Sequence, residues 1–383
     1  MKRRLARLLR CPRTGSRLRL RAFARDGDEV VEGVLLSAEA GLWYPVTRGV
    51  PRMLSPDLFD RREFVAEHRR RLRRMGLAVE AGPVADTLVG VKQQTSESFG
   101  FEWEEYKRFG WDDPVFDLQR EHRVFLRKTV STEGDWGEKL VLDAGCGNGR
   151  YCYWAARFGA SVVGMDLSEA VESAYENTRG LDVGIVQGDI LQPPFALGTF
   201  DIVFSIGVLM HTGDARKATR NLARMVAPGG VFSINVYGTG NPVYELNDRV
   251  IRRFTTKMDL ESLCRFTARM ARIAGFFDRH HLLNVVNALV RLENHPHCIF
   301  DWYSAPAASH HTDREVASWF EECGLEVLAV ESGRKDSLNR AVGRLLGATA
   351  FRAGSSVRVK GQKPLSRVGS EAGGDGTRGR KGG

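Results

Sequence analysis

Residues 141–150, which read VLDAGCGNGR, decide the fold of this chain. A strand-like apolar run ends at Asp143, and three glycines then alternate with other residues: Gly145, Gly147 and Gly149. Glycine has no Cβ, so the backbone can turn tightly and its N–H groups can approach a ligand closely. One glycine would suit an ordinary strand-to-helix turn. Three at alternate positions after an acid favour a ligand-binding loop.

The surrounding sequence, from 139 to 236, alternates apolar strands with helical segments. The strand-like segments are KLVLDAG, SVVGMDLS, VGIVQGDI, FDIVFSIGV and PGGVFSINVYG, and helices are expected over 151–158, 169–178 and 215–226. This alternation predicts a doubly wound, mainly parallel α/β sheet. The strands are nearly continuous apolar runs, as expected when helices cover both faces of a sheet. In such sheets, ligands bind beyond the carboxyl ends of the strands, where the strand order reverses.

The glycine spacing and two later acids narrow the class of ligand. A dinucleotide site requires G-x-G-x-x-G, but Arg150 holds the position of the third glycine and Gly149 comes one residue early. Asp166 ends the second strand, and Asp189 follows the third. A carboxylate at a strand tip has two oxygens that can accept from a vicinal diol. For either acid alone, a helix N-cap or a turn is the alternative interpretation.

These motifs, with FDIVFSIGVLMHTGD and MVAPGGVF, resemble class I S-adenosylmethionine-dependent methyltransferases of the ubiquinone- and menaquinone-methylating type. The resemblance covers about a hundred residues, 141–232. It implies a Rossmann-like sheet of seven strands and S-adenosylmethionine as the cofactor. It also implies that Asp166 binds the ribose and that Asp189 and Ile190 bind the adenine. The implied cofactor-binding residues are Asp143, Gly145, Cys146, Gly147, Asn148, Gly149, Asp166, Leu167, Asp189, Ile190 and Ser205.

The N-terminal part has a resemblance of its own. LLRCPRTGSRLRL, followed by GLWYPVTRGVPRML, is similar to the small zinc-ribbon-like activator subunit of tRNA and protein methyltransferases. Only Cys11 remains where that family places its metal ligands, and one cysteine cannot build a tetrahedral zinc site, so we predict no metal. The resemblance implies a small β-rich module that packs on the catalytic domain or presents substrate. A stabilising appendage is the alternative.

The predicted domains are a β-rich domain over 1–55, a polar helical linker over 56–90, a methyltransferase domain over 91–360, and a basic disordered tail over 361–383. A helical insertion, 240–298, follows the fifth strand and is expected to form a wall or lid of the substrate pocket. Thr312 and Glu315 form a capping box that begins the last helix before the sixth strand. The seventh strand is expected over 350–359.

The candidates for catalysis and substrate contact lie around the predicted cofactor site. His211 follows the fourth strand in LMHTGD, where it could act as a base or as a polar wall of the pocket. Trp103 belongs to an aromatic stretch that could cover the cofactor, although core packing is the alternative. The remaining substrate candidates are Asp301, Trp302 and Tyr303. Six of nine histidines fall between 280 and 311, but they lack metal-site spacing and an acid cluster.

Charge is divided unevenly along the 383 residues. The net charge of +9 combines about +9 in 1–80, about +9 in 334–383 and about −9 in 81–333. An acidic body argues against a cleft that grips a nucleic-acid backbone. Six scattered cysteines without a C-x-x-C pair favour free thiols in the cytoplasm. No apolar run approaches the ~20 residues that span a bilayer.

The sequence therefore predicts a methyltransferase that uses S-adenosylmethionine to methylate oxygen or carbon of a small-molecule, lipid or glycan-type acceptor. One alternative is an RNA or protein methyltransferase guided by the N-terminal module. The segment 205–208 reads SIGV, however, and lacks the N-P-P-Y-type tetrad of many such enzymes. A second alternative is a non-catalytic protein that binds the cofactor. The sequence indicates no oligomeric state.

Overall fold

The computed structural model describes residues 1–55, 58–77, 87–112, 117–240, 242–287, 289–332 and 356–365. The first elements are α1 (Arg3–Leu8) and the strands β1 (Arg19–Asp26), β2 (Glu29–Ser37), β3 (Leu42–Thr47) and β4 (Val50–Pro51). The four strands form an antiparallel sheet in the order β1-β2-β3-β4. The sequence prediction of a small β-rich N-terminal domain agrees with this sheet.

Three helices connect this sheet to the rest of the chain: α2 (Arg62–Arg74), α3 (Thr87–Glu105) and α4 (Leu118–Thr129). The predicted linker does contain a helix, but α2 also packs on the N-terminal sheet. Its Phe64 and Leu72 are buried in a cluster with Val34 and Trp43. Burial of these apolar side chains attaches α2 to the N-terminal domain.

The second sheet has seven strands, β5 (Leu140–Ala144), β6 (Ser161–Asp166), β7 (Val183–Gln187), β8 (Phe200–Ile206), β9 (Val226–Tyr237), β10 (Glu326–Ser332) and β11 (Ser356–Gln362). Their order is β10-β11-β9-β8-β5-β6-β7. Strands β5 to β9 pair in parallel, and β11 is antiparallel to both β9 and β10. Numbered along the chain, these strands lie in the order 3-2-1-4-5-7-6. This is the class I methyltransferase fold that the sequence predicted.

The helices of this domain are α5 (Arg150–Arg157), α6 (Ala170–Asn177), α7 (Ala215–Met225) and α12 (Asp313–Glu322). The predicted capping box of α12 is present, with the Thr312 hydroxyl accepting from the Glu315 N–H. The last strand, β11, ends later than the predicted 350–359, and residues 350–355 of that prediction lie outside the described residues. Because β11 continues to Gln362, the predicted start of the tail at 361 is too early. Residues 366–383 also lie outside the described residues.

The predicted insertion after the fifth strand of this sheet is helical. It contains α8 (Pro242–Thr255), α9 (Leu260–Arg279), α10 (Leu283–Val286) and α11 (Pro296–Ser304). Its core is a separate cluster formed by the side chains of Tyr244, Ala271, Ile299, Trp302 and Tyr303. Among the described residues, no helix combines the length and apolar character required to cross a bilayer.

The N-terminal domain and the large sheet share one hydrophobic core. Leu5, Leu9 and Tyr44 are buried in the same cluster as Val186 and Phe195. Backbone pairing reinforces this contact, because Leu9 forms a bridge with Phe195 and the Met53 N–H donates to the Gln187 carbonyl at 2.8 Å. The N-terminal domain therefore packs along β7, the edge strand of the large sheet.

Candidate functional site

The glycine loop lies between β5 and α5 and needs glycine at each of its three positions. Gly145, Gly147 and Gly149 have φ values of +90°, +51° and +83°, in the region that residues with a Cβ seldom adopt. A Cβ on Gly145 would overlap the side chain of Val208, and one on Gly147 would lie 2.9 Å from the Trp103 ring. The loop is therefore packed between Val208, which follows β8, and Trp103 of α3, in a backbone conformation that favours glycine.

The third glycine serves a different purpose from the first two. A Cβ on Gly149 would lie 3.1 Å from the Cα of Ala174 in α6. Gly149 thus allows α5 to start close against α6, and its own N–H donates to the Cys146 carbonyl at 2.9 Å.

Asp166 is fixed at the tip of β6, next to the loop. Its Oδ2 accepts from the Gly147 N–H at 3.0 Å, and its Oδ1 accepts from the Ser168 N–H at 2.9 Å and from the Ser168 hydroxyl at 2.7 Å. A carboxylate oxygen can accept two hydrogen bonds. Oδ2 therefore keeps one acceptor site, and rotation of the Ser168 hydroxyl would free one on Oδ1.

Asp189 lies beyond the end of β7 and is paired with a lysine that the sequence analysis did not identify. The Nζ of Lys92, on α3, lies 2.6 Å from Asp189 Oδ2, while Oδ1 accepts from the Leu191 N–H at 2.8 Å. Helix α3 therefore covers this end of the site.

A cavity of about 450 Å³ connects these groups at the carboxyl ends of the strands. It lies beside the neighbouring strands β5 and β8, between which the strand order of the sheet reverses, as expected for an open α/β sheet. A cavity of this size suits a ligand as large as a nucleoside. The predicted site residues that line it are Trp103, Gly145, Cys146, Gly147, Asp166, Leu167, Asp189, Ile190, His211, Asp301 and Trp302.

Five predicted site residues lie outside the cavity lining. Gly149 is the close-packed residue described above. Asp143 is buried beneath the loop, where the Cys152 thiol donates to its Oδ2 at 3.2 Å. Burial raises the pKa of Asp143 to about 7. The hydroxyl of Ser205 donates to the Ala144 carbonyl at 2.6 Å. Asp143 and Ser205 thus support the loop from behind.

Asn148 and Tyr303, the other two residues outside the lining, also make structural contacts. The Asn148 side-chain amide donates to the Phe109 carbonyl at 2.8 Å and holds the segment after α3 against the loop. The Tyr303 hydroxyl donates to the Arg291 carbonyl at 3.2 Å, and its ring belongs to the insertion core. Tyr303 therefore stabilises the insertion and does not line the cavity.

One wall of the cavity is aromatic and comes from β9 and α11. The rings of Tyr237 and Trp302 stack with centroids 4.0 Å apart, and the Tyr237 hydroxyl donates to Asp301 Oδ2 at 3.3 Å. Burial raises the pKa of Asp301. The Trp302 indole N–H donates to Asp248 Oδ1 at 2.6 Å, which fixes the ring orientation.

The imidazole of His211 contacts the Tyr237 ring of this wall, and only one of its two ring nitrogens has a hydrogen-bond partner among the described residues. Its Nδ1 lies 2.8 Å from the Ala307 carbonyl, which can only accept, so Nδ1 carries the proton and Nε2 holds a lone pair. The buried Nε2 has no hydrogen-bond partner among the described residues. Burial lowers the pKa of His211 to about 4. At neutral pH the imidazole is uncharged and able to accept a hydrogen bond.

A buried Glu102–His297 pair forms another part of the wall. Glu102 Oε1 lies 3.0 Å from His297 Nδ1, and both side chains are almost fully buried. Burial raises the pKa of Glu102 well above its usual range and lowers that of His297 well below. Both shifts favour the uncharged forms of the acid and of the imidazole. The sequence analysis missed Glu102, and it had weighed the His297 segment only as a metal motif.

Arg150, which follows the last glycine, is enclosed by aromatic rings. Its guanidinium lies 5.0 Å from the Trp103 ring centroid, 5.1 Å from that of Phe109 and 4.8 Å from that of Tyr151. Its Nε lies 3.1 Å from Glu121 Oε2. These cation–π and ionic contacts join α3 and α4 to the start of α5.

The fold and the cavity together define a class I methyltransferase domain, and comparisons with known proteins agree. Residues 142–234 match the methyltransferase domain family, and residues 2–49 match the Trm112p-like protein family. Both resemblances stated from the sequence are confirmed. The chain thus combines a region that matches the methyltransferase domain family with an N-terminal region that matches the Trm112p-like protein family.

Relatives match mainly the methyltransferase domain. A sterol 24-C-methyltransferase of Gibberella zeae is 27% identical over 189 residues, which are 45% of this chain and 48% of the relative. A ubiquinone biosynthesis O-methyltransferase of Thiobacillus denitrificans is 33% identical over 127 residues, 31% of this chain and 54% of the relative. The chain spans about half the length of these curated relatives. The structure of magnesium protoporphyrin IX methyltransferase from Synechocystis, with bound SAH, covers 73% of this chain and all of its own at 18% identity and a TM-score of 0.40.

Proposed function

We propose that this protein transfers a methyl group from S-adenosylmethionine to oxygen or carbon of a small-molecule or lipid acceptor. One observation carries the proposal: a single cavity joins the glycine loop, two strand-tip carboxylates and an aromatic wall that holds an unpartnered imidazole nitrogen. A purely structural cavity would have no need of an unpaired buried nitrogen, because burying a polar group without a partner costs free energy.

The cavity residues fit the cofactor. Asp166 offers acceptor sites to the ribose hydroxyls, and Asp189, with Ile190 beside it, suits an adenine ring and its amino group. Gly145 and Gly147 line the cavity, and the backbone of this loop suits the methionine portion. The electron-rich faces of aromatic rings such as Tyr237 favour a cationic sulfonium.

Methyl transfer at this site requires alignment more than acid–base chemistry. S-adenosylmethionine supplies a methyl group that its sulfonium already activates. The stacked rings of Tyr237 and Trp302 exclude water and restrict the orientation of the acceptor. The Glu102–His297 pair adds no net charge to the wall, whether its proton is on the carboxyl or on the imidazole. His211 Nε2 is the group that can accept a proton from an acceptor hydroxyl or acidic carbon.

Replacing His211 with glutamine is expected to lower kcat about 100-fold or more, within the range of a lost general base. Because the pKa of His211 is lowered to about 4, the wild-type imidazole stays neutral above pH 5, and its protonation at lower pH would remove the base. The kcat/KM profile should therefore show no inflection from this group near pH 6.5. His280→Gln, at an exposed histidine on the insertion, is the control. A change confined to KM would make His211 only a wall of the pocket.

The N-terminal domain favours a second candidate, an RNA or protein methyltransferase, because residues 2–49 match the Trm112p-like family. The cavity argues for the first candidate, since none of residues 1–55 lines it. We assign this domain a supporting role at the edge of the large sheet. The six free cysteines suit a reducing compartment, and we place the reaction in the cytoplasm.

Calorimetry and a methyl-transfer screen test the proposal together. Titration with S-adenosylmethionine and with its demethylated product should show that both bind. Tritiated-methyl transfer to a cell extract, separated into lipid, small-molecule, RNA and protein fractions, should label the lipid or small-molecule fraction. Label confined to RNA or protein would select the second candidate. Binding without label in any fraction would indicate a protein that only binds the cofactor.

A further inference from the structure

Helix α8 of the insertion presents an apolar stripe to solvent. Leu246, Val250 and Phe254 are 57%, 47% and 64% exposed. Four-residue spacing places the three side chains on one face of a helix. The opposite face is buried in the domain through Tyr244, Asp248, Arg252 and Thr255. Single exposed apolar residues are common, but an ordered stripe opposite a buried face marks an interaction surface.

Cations border this stripe on the same helix and just after it. Arg249, Arg253 and Lys257 are all exposed; helical geometry places Arg249 and Arg253 on one side of the stripe, and Lys257 follows two residues after the helix ends. The two acids of α8 are engaged elsewhere. Glu245 lies 2.7 Å from the His310 imidazole, and Asp248 accepts from the Trp302 indole on the buried side. The outward face of α8 is thus apolar with a cationic border.

The solvent-exposed face of the neighbouring helix α9 also combines apolar and cationic side chains. Ile273 and Phe276 are about half exposed, and the exposed Arg269 and Arg272 lie beside them. The surrounding segment 81–333 carries a net charge of about −9, so this cationic border is a local feature against an acidic background. A surface that is both cationic and apolar complements a partner whose surface carries negative charge directly above an apolar layer.

We propose that the outward face of α8 docks on the surface of an anionic lipid bilayer. Leu246, Val250 and Phe254 enter the boundary between headgroups and acyl chains, as in amphipathic helices that lie in a membrane interface. Arg249, Arg253 and Lys257 contact the lipid phosphates, where each cation near an anionic leaflet adds to the attraction.

The insertion connects this surface to the cavity. Helices α8 and α9 pack on α11, which carries the cavity residues Asp301 and Trp302. The Asn247 amide donates to the Leu289 carbonyl at 2.9 Å, close in sequence to the lining residue Arg291. A bilayer bound by α8 would therefore lie against the helices that wall the cavity. A lipid acceptor follows only if the proposed function is correct, whereas the docking does not depend on it.

Co-sedimentation of the full chain with vesicles tests the docking without any activity measurement. The protein should bind phosphatidylcholine vesicles that contain phosphatidylglycerol, bind pure phosphatidylcholine vesicles at least tenfold more weakly, and dissociate as salt is raised. The triple variant Leu246→Ser, Val250→Ser, Phe254→Ser should bind the anionic vesicles at least tenfold more weakly. The triple variant Arg249→Gln, Arg253→Gln, Lys257→Gln should lose the preference for phosphatidylglycerol.

Leu197→Ser is the matched control, because Leu197 is 59% exposed in the turn before β8 and should leave vesicle binding unchanged. Unchanged thermal unfolding confirms that each triple variant folds. Equal binding by wild type and both triple variants would overturn the proposal, since the basic ends of the chain would then carry the interaction. A dimer in the absence of lipid that dissociates in the apolar triple variant would also overturn it, by showing that a second copy covers the stripe.

Discussion

Asp166→Ala is expected to weaken the affinity for S-adenosylmethionine at least tenfold, or about 1.4 kcal/mol. A hydrogen bond to a charged group contributes about 1.5–3 kcal/mol, so one lost ribose contact suffices for this effect. The variant also removes the acceptor that holds the Gly147 N–H at 3.0 Å, which would loosen the glycine loop. Both losses reduce binding, and calorimetry measures their sum.

The control for this variant is Asp182→Ala. Asp182 is an exposed acid that pairs with Arg4 on the surface, and its loss should leave the affinity unchanged. Thermal unfolding shows whether Asp166→Ala remains folded. A folded Asp166→Ala protein with wild-type affinity would disprove the assignment of Asp166 to the ribose.

Gly145→Ala is expected to reduce both stability and cofactor affinity. The alanine would have to keep a φ of +90° or move the loop, and a left-handed backbone costs a residue with a Cβ about 1–2 kcal/mol. Its Cβ would in addition overlap the Val208 side chain, so the loop must shift away from the end of β8. We expect a lower free energy of unfolding and at least a tenfold loss of affinity by calorimetry.

Gly180→Ala separates the cost of the left-handed backbone from the cost of crowding against Val208. Gly180 has a φ of +84°, but its Cβ would meet nothing within 4 Å, so this variant should show the backbone penalty without the crowding. The double variant Gly145→Ala, Val208→Ala should recover part of the lost affinity. If Gly145→Ala and Gly180→Ala lose equal stability and neither loses affinity, close packing of the loop on Val208 has no role in binding.

The sheet could be predicted from sequence because its signals are local. Five apolar runs separated by helical periods specify the parallel strands, and glycines or acids mark their carboxyl ends. Asp166 and Asp189 were identifiable because a strand tip fixes where a side chain points, whatever packs around it. The long insertion was recognisable because it interrupts an otherwise regular alternation.

The remaining parts of the site depend on contacts between distant segments. Glu102 and His297 meet across nearly two hundred residues of chain, and neither has a local pattern that indicates the other. Lys92 reaches Asp189 only because α3 folds over the end of β7. Tyr303 was predicted together with Trp302 as a substrate contact, and the helical phase of α11 instead turns its ring into the insertion core.

The placement of the N-terminal domain along β7 limits which proteins can assemble with this one. The exposed edge of a sheet is a common site for pairing with a strand of another chain. Here Arg52 already bridges Gln187 of that strand, and its buried guanidinium pairs with Glu172. A strand of another chain therefore cannot add to the sheet at this part of β7, because the N-terminal domain of the same polypeptide already covers it.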